Sequence, residues 1–410
     1  MRVRTLASAV VVAAVATFAA IAPAAAQAKF IDVTPDVPSG TQPHITPDQK
    51  APVLPYNGGR VINSNRTHPV FWEPAGSGLT FDPGYESLIE TFLTDVAADS
   101  YKTTNVYSLS GQYTDSDGPA AYDSTYGGAV VDNDPLPSNG CTEPTTGPGW
   151  TVCLTDAQLE TELEHVIAAD HLPTTSRDVF FIITPNGFGS CTDSSSSSCA
   201  LGGSENGYCG YHSETSTGVV YAVIPYNAVP GHCQSSNPRP NSSTADPTIS
   251  TVSHEHNEMD TDPDGNAWID ARGEEEADLC LTNFGPSLSG PGGTAWNESI
   301  HGGHFFLQEE WSNADGACEP RAKPDSVSFG QVPAPGHARS MSFTGRASAP
   351  DGGIVAFQWF FGDGRTAWGR RTSHTFKTPG TFRVRLRATD SWGNRGYAGR
   401  TIRVRGLPAG

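Results

Sequence analysis

Apolar residues recur at helical spacing in two places in the first half of the chain. Tyr85, Leu88, Ile89, Phe92, Leu93 and Val96 form one stripe, in a helix predicted to start at Asp82-Pro83. Leu159, Leu163, Val166 and Ile167 form another, behind a capping box made by Thr155 and Gln158. The runs Val179 to Ile183 and Val219 to Ile224 have strand length and read as buried strands of one mixed sheet. Val61-Ile62 and Val70-Phe71-Trp72 are predicted to pair as strands, and His304 to Leu307 reads as a further short strand. A third helix is predicted from Asp246, as N-cap with Pro247 at the first helical position, to Asp262-Pro263. Ile249, Val252 and Met259 share one side of it and would pack on the sheet, giving an α/β arrangement. Near the C-terminus the period changes to two. Phe382, Val384, Leu386 and Ala388 alternate with Arg383, Arg385 and Arg387, as in a strand with one wet face.

The 410 residues allow two domains. Residues 1–28 read as a secretory signal peptide, with Arg2 and Arg4 ahead of an Ala/Val-rich core, so the mature protein is expected to be secreted and extracellular. Residues 29–58, rich in Pro and polar residues, read as an extended arm or propeptide. No other apolar run is long enough to span a membrane. Eight cysteines fit an oxidising compartment and four disulfides. Cys141 with Cys153 and Cys280 with Cys318 are the favoured pairs, leaving Cys191, Cys199, Cys209 and Cys233 to pair among themselves. Charge divides the chain near Cys318. Residues 321–410 hold 15 Lys and Arg against 4 Asp and Glu, a net +11, which leaves −30 for residues 1–320 out of the total of −19. So acidic a first part argues against a nucleic-acid partner, whereas a basic C-terminal part can meet an anionic surface.

The densest chemistry lies in Ser253 to Met259. His254 and Glu258 are four apart and so stand on one helix face, with Glu255 beside them. Two ligands at this spacing with a carboxylate between them is the arrangement of a zinc-peptidase helix, and carboxylate oxygen is an acceptable zinc ligand. Glu274, Glu275, Glu276 and Asp278 follow at a distance from which a further ligand is often supplied. From spacing alone this metal site stands level with a solvated helix face followed by surface acids.

Further motifs favour the metal site. Pro69 to Trp72, Pro83-Gly84-Tyr85, Leu88-Ile89, Cys209 to His212, His254 to Glu258, Gly265 to Trp268, Glu275 to Cys280 and Trp311 occur in an order that resembles the EXORDIUM-like (phosphate-induced protein) family. The family reads HELAE, NAWY and EIADLC; here the HELAE interior is His256-Asn257 and the Ile is Glu276. The resemblance, over residues 59–320, implies a zincin-like domain with an HExxE core. It implies His254 and Glu258 as zinc ligands, Glu275 as a further ligand, and Asp278 either as a ligand or orienting His254 through its other ring nitrogen. Glu274 and Glu276 would then be exposed. Turns at Asp264-Gly265 and near Gly273 would return the segment to the helix. Glu255 would be the catalytic base and a protein or peptide the substrate. A non-catalytic extracellular binding or signalling protein that keeps the fold is the alternative.

Three other groups compete for attention. Asp260, Asp262 and Asp264, with Gly265, resemble the start of a calcium loop, but the twelfth position is Ala271, so calcium there stands behind a helix-terminating turn. His212 is given an ordinary structural role ahead of that of an extra ligand. His301 and His304 are read as structural. Beyond the expected linker at Ala322-Lys323-Pro324, Phe357 to Gly364, His374-Thr375-Phe376, Pro379 to Val384 and Thr389-Asp390-Ser391 resemble a PKD domain at 324–406. That resemblance implies an all-β Ig-like sandwich and contact with a protein, a polysaccharide or a cell surface.

Overall fold

The structure, a computed structural model, describes residues 53–405 apart from 145–146, 197, 202–206, 282, 288–293, 323–324, 335–338, 349–353 and 391–394. The expected signal peptide, most of the expected arm and part of the expected linker therefore lie outside the described residues. Among the described residues no helix is long and apolar enough to cross a membrane.

The first part is built on a six-stranded mixed sheet. Its strands are β1 (Asn65–Trp72), β2 (Ser124–Tyr126), β3 (Val130–Asp132), β4 (Asp178–Ile183), β5 (Tyr211–Glu214) and β6 (Val220–Ile224). β1 pairs in parallel with β2, β3 and β4, and β4 with β6. β5 closes one edge antiparallel to β6. Both faces are covered, which is why the central strands read as unbroken apolar runs. Phe181, Ile183 and Ala222 face one core with helices α1 (Tyr85–Ala98) and α3 (Ala245–Thr261). Phe180, Ile182 and Val223 face the other, with α2 (Asp156–Ala169). The capping box at Thr155 is present, the backbone N–H of Thr155 donating to Gln158 Oε1 at 3.0 Å.

Four expectations need correction. Val61 and Ile62 are buried but form no strand. α1 begins at Tyr85 behind Gly84 rather than at Asp82. Asp82 instead accepts hydrogen bonds from the hydroxyls of Tyr226 and Thr244, both at 2.6 Å, and so ties the entry of α1 to that of α3. α3 starts at Ala245, ahead of the predicted cap, and Asp246 lies inside its first turn, where its carboxylate accepts from the backbone N–H of Ser243 at 3.0 Å. Finally, the end of the supposed arm is packed: Leu54 is buried, and its backbone N–H donates to Asn313 Oδ1 at 2.8 Å. The cysteines join as Cys141–Cys153, Cys191–Cys199, Cys209–Cys233 and Cys280–Cys318, which includes both favoured pairs.

The C-terminal part is all-β. Its strands are β7 (Asp325–Pro333), β8 (Ser340–Ser348), β9 (Ile354–Phe360), β10 (Thr366–Trp368), β11 (Arg371–Thr375), β12 (Gly380–Asp390) and β13 (Arg395–Val404). Sheets β7-β8-β11 and β10-β9-β12-β13 enclose Phe343, Trp359, Val384 and Leu386. As the alternation predicts, Val384, Leu386 and Ala388 are buried while Arg383 and Arg385 are exposed.

An ion cluster around the buried Asp178 joins the two central strands β1 and β4. Asp178, at the start of β4, accepts from Arg66 Nε at 2.6 Å and from the Thr175 hydroxyl at 2.6 Å, and lies 2.8 Å from His68 Nε2. Burial alone would raise the Asp178 carboxyl, but Arg66, Thr175 and His68 outweigh it and hold it well below the usual carboxylate range. Its stabilisation is therefore complete above about pH 4, the unfolded value, and is lost as pH falls through the depressed folded value. Asp178→Ala is expected to lower the unfolding free energy by about 3 kcal/mol at neutral pH. Its denaturation midpoint should also fall less steeply than the wild type's below pH 4, as read by urea titration.

Candidate metal and catalytic centre

α3 carries Ser253 to Met259 through the middle of the first part, and every one of its residues is buried. The reading of a solvated helix face is thereby excluded. Such burial requires a partner for each polar side chain. His256 Nδ1 lies 3.2 Å from the Tyr107 hydroxyl, and its ring meets Phe181 edge-on. With nothing charged against it, burial pushes this imidazole down to about 3, so it is neutral. Asn257 donates to the Ser253 carbonyl oxygen at 2.9 Å.

The expected turns are made by Gly265 and Gly273, at φ 66° and 94°, a region that favours glycine. They return residues 274–280 to the helix, and the disulfide Cys280–Cys318 holds them there. The backbone N–H of Asp278 donates to Glu258 Oε1 at 3.2 Å. Asp278 Oδ1 then lies 3.5 Å from His254 Nε2, and Glu258 Oε1 lies 3.1 Å from the same nitrogen. His254, Glu258 and Asp278 thus offer three ligand atoms within 4.8 Å of one another. Asp278 is not the group that orients His254. Gln308 is: its Oε1 is 3.1 Å from His254 Nδ1, while its Nε2 donates to the Ala277 carbonyl at 2.7 Å. With that amide so fixed, Nδ1 carries a proton and Nε2 is turned towards the two carboxylates.

A second triad shares Glu258. His212 lies on β5 opposite Ala222, so it faces α3. Its Nδ1 is 3.4 Å from Glu255 Oε2 and 3.6 Å from Glu258 Oε2, and its Nε2 is 3.8 Å from Glu275 Oε2. The structural role preferred for His212 from sequence therefore gives way to a place at the centre. The signal that could have revealed it is the Cys209 to His212 motif, just ahead of the edge strand. Glu275 is buried as the ligand reading required, but so is Glu276, against expectation, because it accepts from the Thr261 hydroxyl at 2.5 Å.

Burial pulls the His254 and His212 imidazoles down, but the carboxylates around them win. Glu258 and Asp278 hold His254 well above its usual value, and Glu255 and Glu258 push His212 up to about 10. Burial moves Glu255 the other way, up to about 7.

The alternative calcium residues diverge. Asp260 accepts from Asn65 at 2.7 Å, Asp262 from the backbone N–H of Asn266 at 2.6 Å, and Asp264 from Arg60 at 2.8 Å. His301 pairs with Asp99 at 3.0 Å, and His304 stacks on Trp296.

Residues 322–405 match the PKD domain family. Among solved structures, the PKD1 domain of Vibrio anguillarum Epp is similar at 26% identity, over 20% of this chain and 93% of that one, with a TM-score of 0.19. The PKD1 domain from the Vibrio cholerae metalloprotease PrtV is similar at 27% identity over 20% and 96%, also with a TM-score of 0.19. Wild-type OgpA from Akkermansia muciniphila aligns with 84% of this chain and 94% of its own, at 9% identity and a TM-score of 0.25.

The Gln308 link can be tested directly. Gln308→Leu leaves the buried His254 Nδ1–H without an acceptor and is expected to cost about 1–3 kcal/mol of stability, measured by denaturant titration at neutral pH.

Proposed function

We propose that the chain is a secreted zinc metallopeptidase of the HExxE type acting on protein or peptide substrates. Its PKD domain would serve as the contact module for substrate, polysaccharide or cell surface. The observation that carries this reading is the state of His254. Its Nδ1 faces Gln308, while its Nε2 faces Glu258 at 3.1 Å and Asp278 at 3.5 Å. An imidazole nitrogen facing two buried carboxylates needs a proton or a metal cation between them, and one imidazole with two carboxylates is a zinc-type donor set. His254, Glu258 and Asp278 would hold the ion, and Glu275 is near enough to Glu258 to complete the set. When bound, zinc supplies Lewis-acid activation of water.

Glu255 stands beside the ligand face, with its Oε2 3.4 Å from His212 Nδ1. A carboxyl raised to about 7 can take and return a proton near neutral pH, as a general base must. His212, across from it, would orient that carboxylate. Four disulfides agree with an oxidising, extracellular setting.

The enclosure of the centre favours a second reading, a non-catalytic extracellular binding or signalling protein. His254, Glu255 and Glu275 are each 0% exposed, and the Asp278 side chain only 11%. A scissile peptide would need an opening that these side chains do not offer.

Metal analysis and proteolysis separate the two. His254→Ala and Glu258→Ala are expected to carry one zinc fewer per chain than the wild type; equal zinc in all three proteins would overturn the metal assignment. Glu255→Gln is expected to keep zinc and fold but to lose at least about 100-fold of chelator-sensitive casein hydrolysis. If the wild type binds zinc and shows no such hydrolysis, the binding-protein reading takes its place.

A further inference from the structure

The opposite face of the main sheet carries a group of ionisable side chains that the α3 centre does not use. Glu162 and His165 lie three residues apart on α2 and so share one face of it. β3 ends at Asp132, and Asp134 follows two residues later. His165 Nδ1 is 3.2 Å from Asp134 Oδ2 and 3.8 Å from Glu162 Oε1, and the three offer ligand atoms within 4.8 Å of one another.

An exposed histidine beside two acids is commonplace and by itself shows no site. Asp132 is what sets this group apart. It is only 6% exposed and interacts directly with Glu162. Its Oδ1 accepts the Asp134 backbone N–H at 2.8 Å, yet its Oδ2 has no donor, and neither does the buried Oε1 of Glu162. The Asp132 and Glu162 carboxyl groups lie against each other, and two carboxylates so placed need a proton or a cation between them. The backbone beneath is fixed, because Trp72 Nε1 donates to the Asp134 carbonyl at 3.0 Å and the Glu73 N–H to the Asp132 carbonyl at 2.8 Å.

We propose that Asp134, Glu162 and His165, with Asp132 behind Glu162, form a second divalent-cation site, of the zinc class, on the α2 face of the sheet. Two carboxylates with one imidazole suit zinc better than calcium or magnesium, which take oxygen ligands alone. A bound ion here would tie the end of β3 to α2. The site is independent of the α3 centre, since the two lie on opposite faces of the sheet.

The test uses the full chain, stripped with chelator and then dialysed against Zn²⁺ with metal counted per chain. His254→Ala removes the α3 zinc and is expected to retain one zinc, the one bound here. His165→Ala, at a side chain 61% exposed where the fold is not at risk, should lower the zinc affinity of this site at least about tenfold. The double variant His254→Ala/His165→Ala should lose the zinc-dependent rise in melting temperature that His254→Ala alone retains. Unchanged zinc stoichiometry and affinity on His165→Ala would overturn the site. So would binding of Ca²⁺ but not Zn²⁺ to the His254→Ala protein. Failure of the α3 centre alone would show differently, as equal zinc in the wild type and His254→Ala.

Discussion

A polar helix buried on every side is the constraint on which the rest of the first part depends. α3 brings His254, Glu255, His256, Asn257, Glu258 and Asp260 into the interior. Buried charges are tolerated only when paired, so the surrounding elements must supply partners. The edge strand β5 supplies His212, the segment after the second glycine turn supplies Glu275 and Asp278, and Gln308 takes the far nitrogen of His254. Gly210 follows the same logic. A Cβ there would stand 2.6 Å from Thr251 Cγ2 and 3.0 Å from Glu255 Oε1, so close packing against α3 requires glycine.

The acids behind the centre meet the constraint in another way. Burial, then Glu258, raises Glu276 to about 8, and burial raises Glu310 well above the ordinary carboxyl range. Burial thus favours the uncharged form of both, and Glu276 still accepts the Thr261 hydroxyl.

The PKD domain is built on a different principle. Its core is apolar and aromatic, with Trp359 meeting Phe329 and Phe343, and its charge lies outside. Arg385 covers the ring of Phe360 and Arg387 that of Trp368, at 5.6 and 5.9 Å from the ring centres. Guanidinium groups laid over aromatic rings keep a basic face ordered while it remains open to solvent. A net +11 beside a first part of −30 makes this face suited to anionic partners.

Local periodicity and backbone preference determined much of this protein without tertiary information. The stripes of α1 and α2, the capping box at Thr155, the strands β4 and β6, the glycine turns at Gly265 and Gly273 and the alternation of β12 all follow from rules acting over a few residues. The i and i+4 spacing likewise put His254 and Glu258 on one helix face. What the tertiary structure decided were relations between distant segments. No local rule tells that Val61 and Ile62 pack without pairing, or that Glu276 turns inward to Thr261. Nor does any place His212, which reaches α3 only because β5 adds antiparallel to β6 and so directs alternate residues to that face. Gln308, about fifty residues from His254, carries no motif at all. The solvent exposure of α3 was equally beyond local rules: spacing alone leaves a helix rich in His, Glu and Asn level between a wet face and a metal site until the partners that compensate its burial are seen around it.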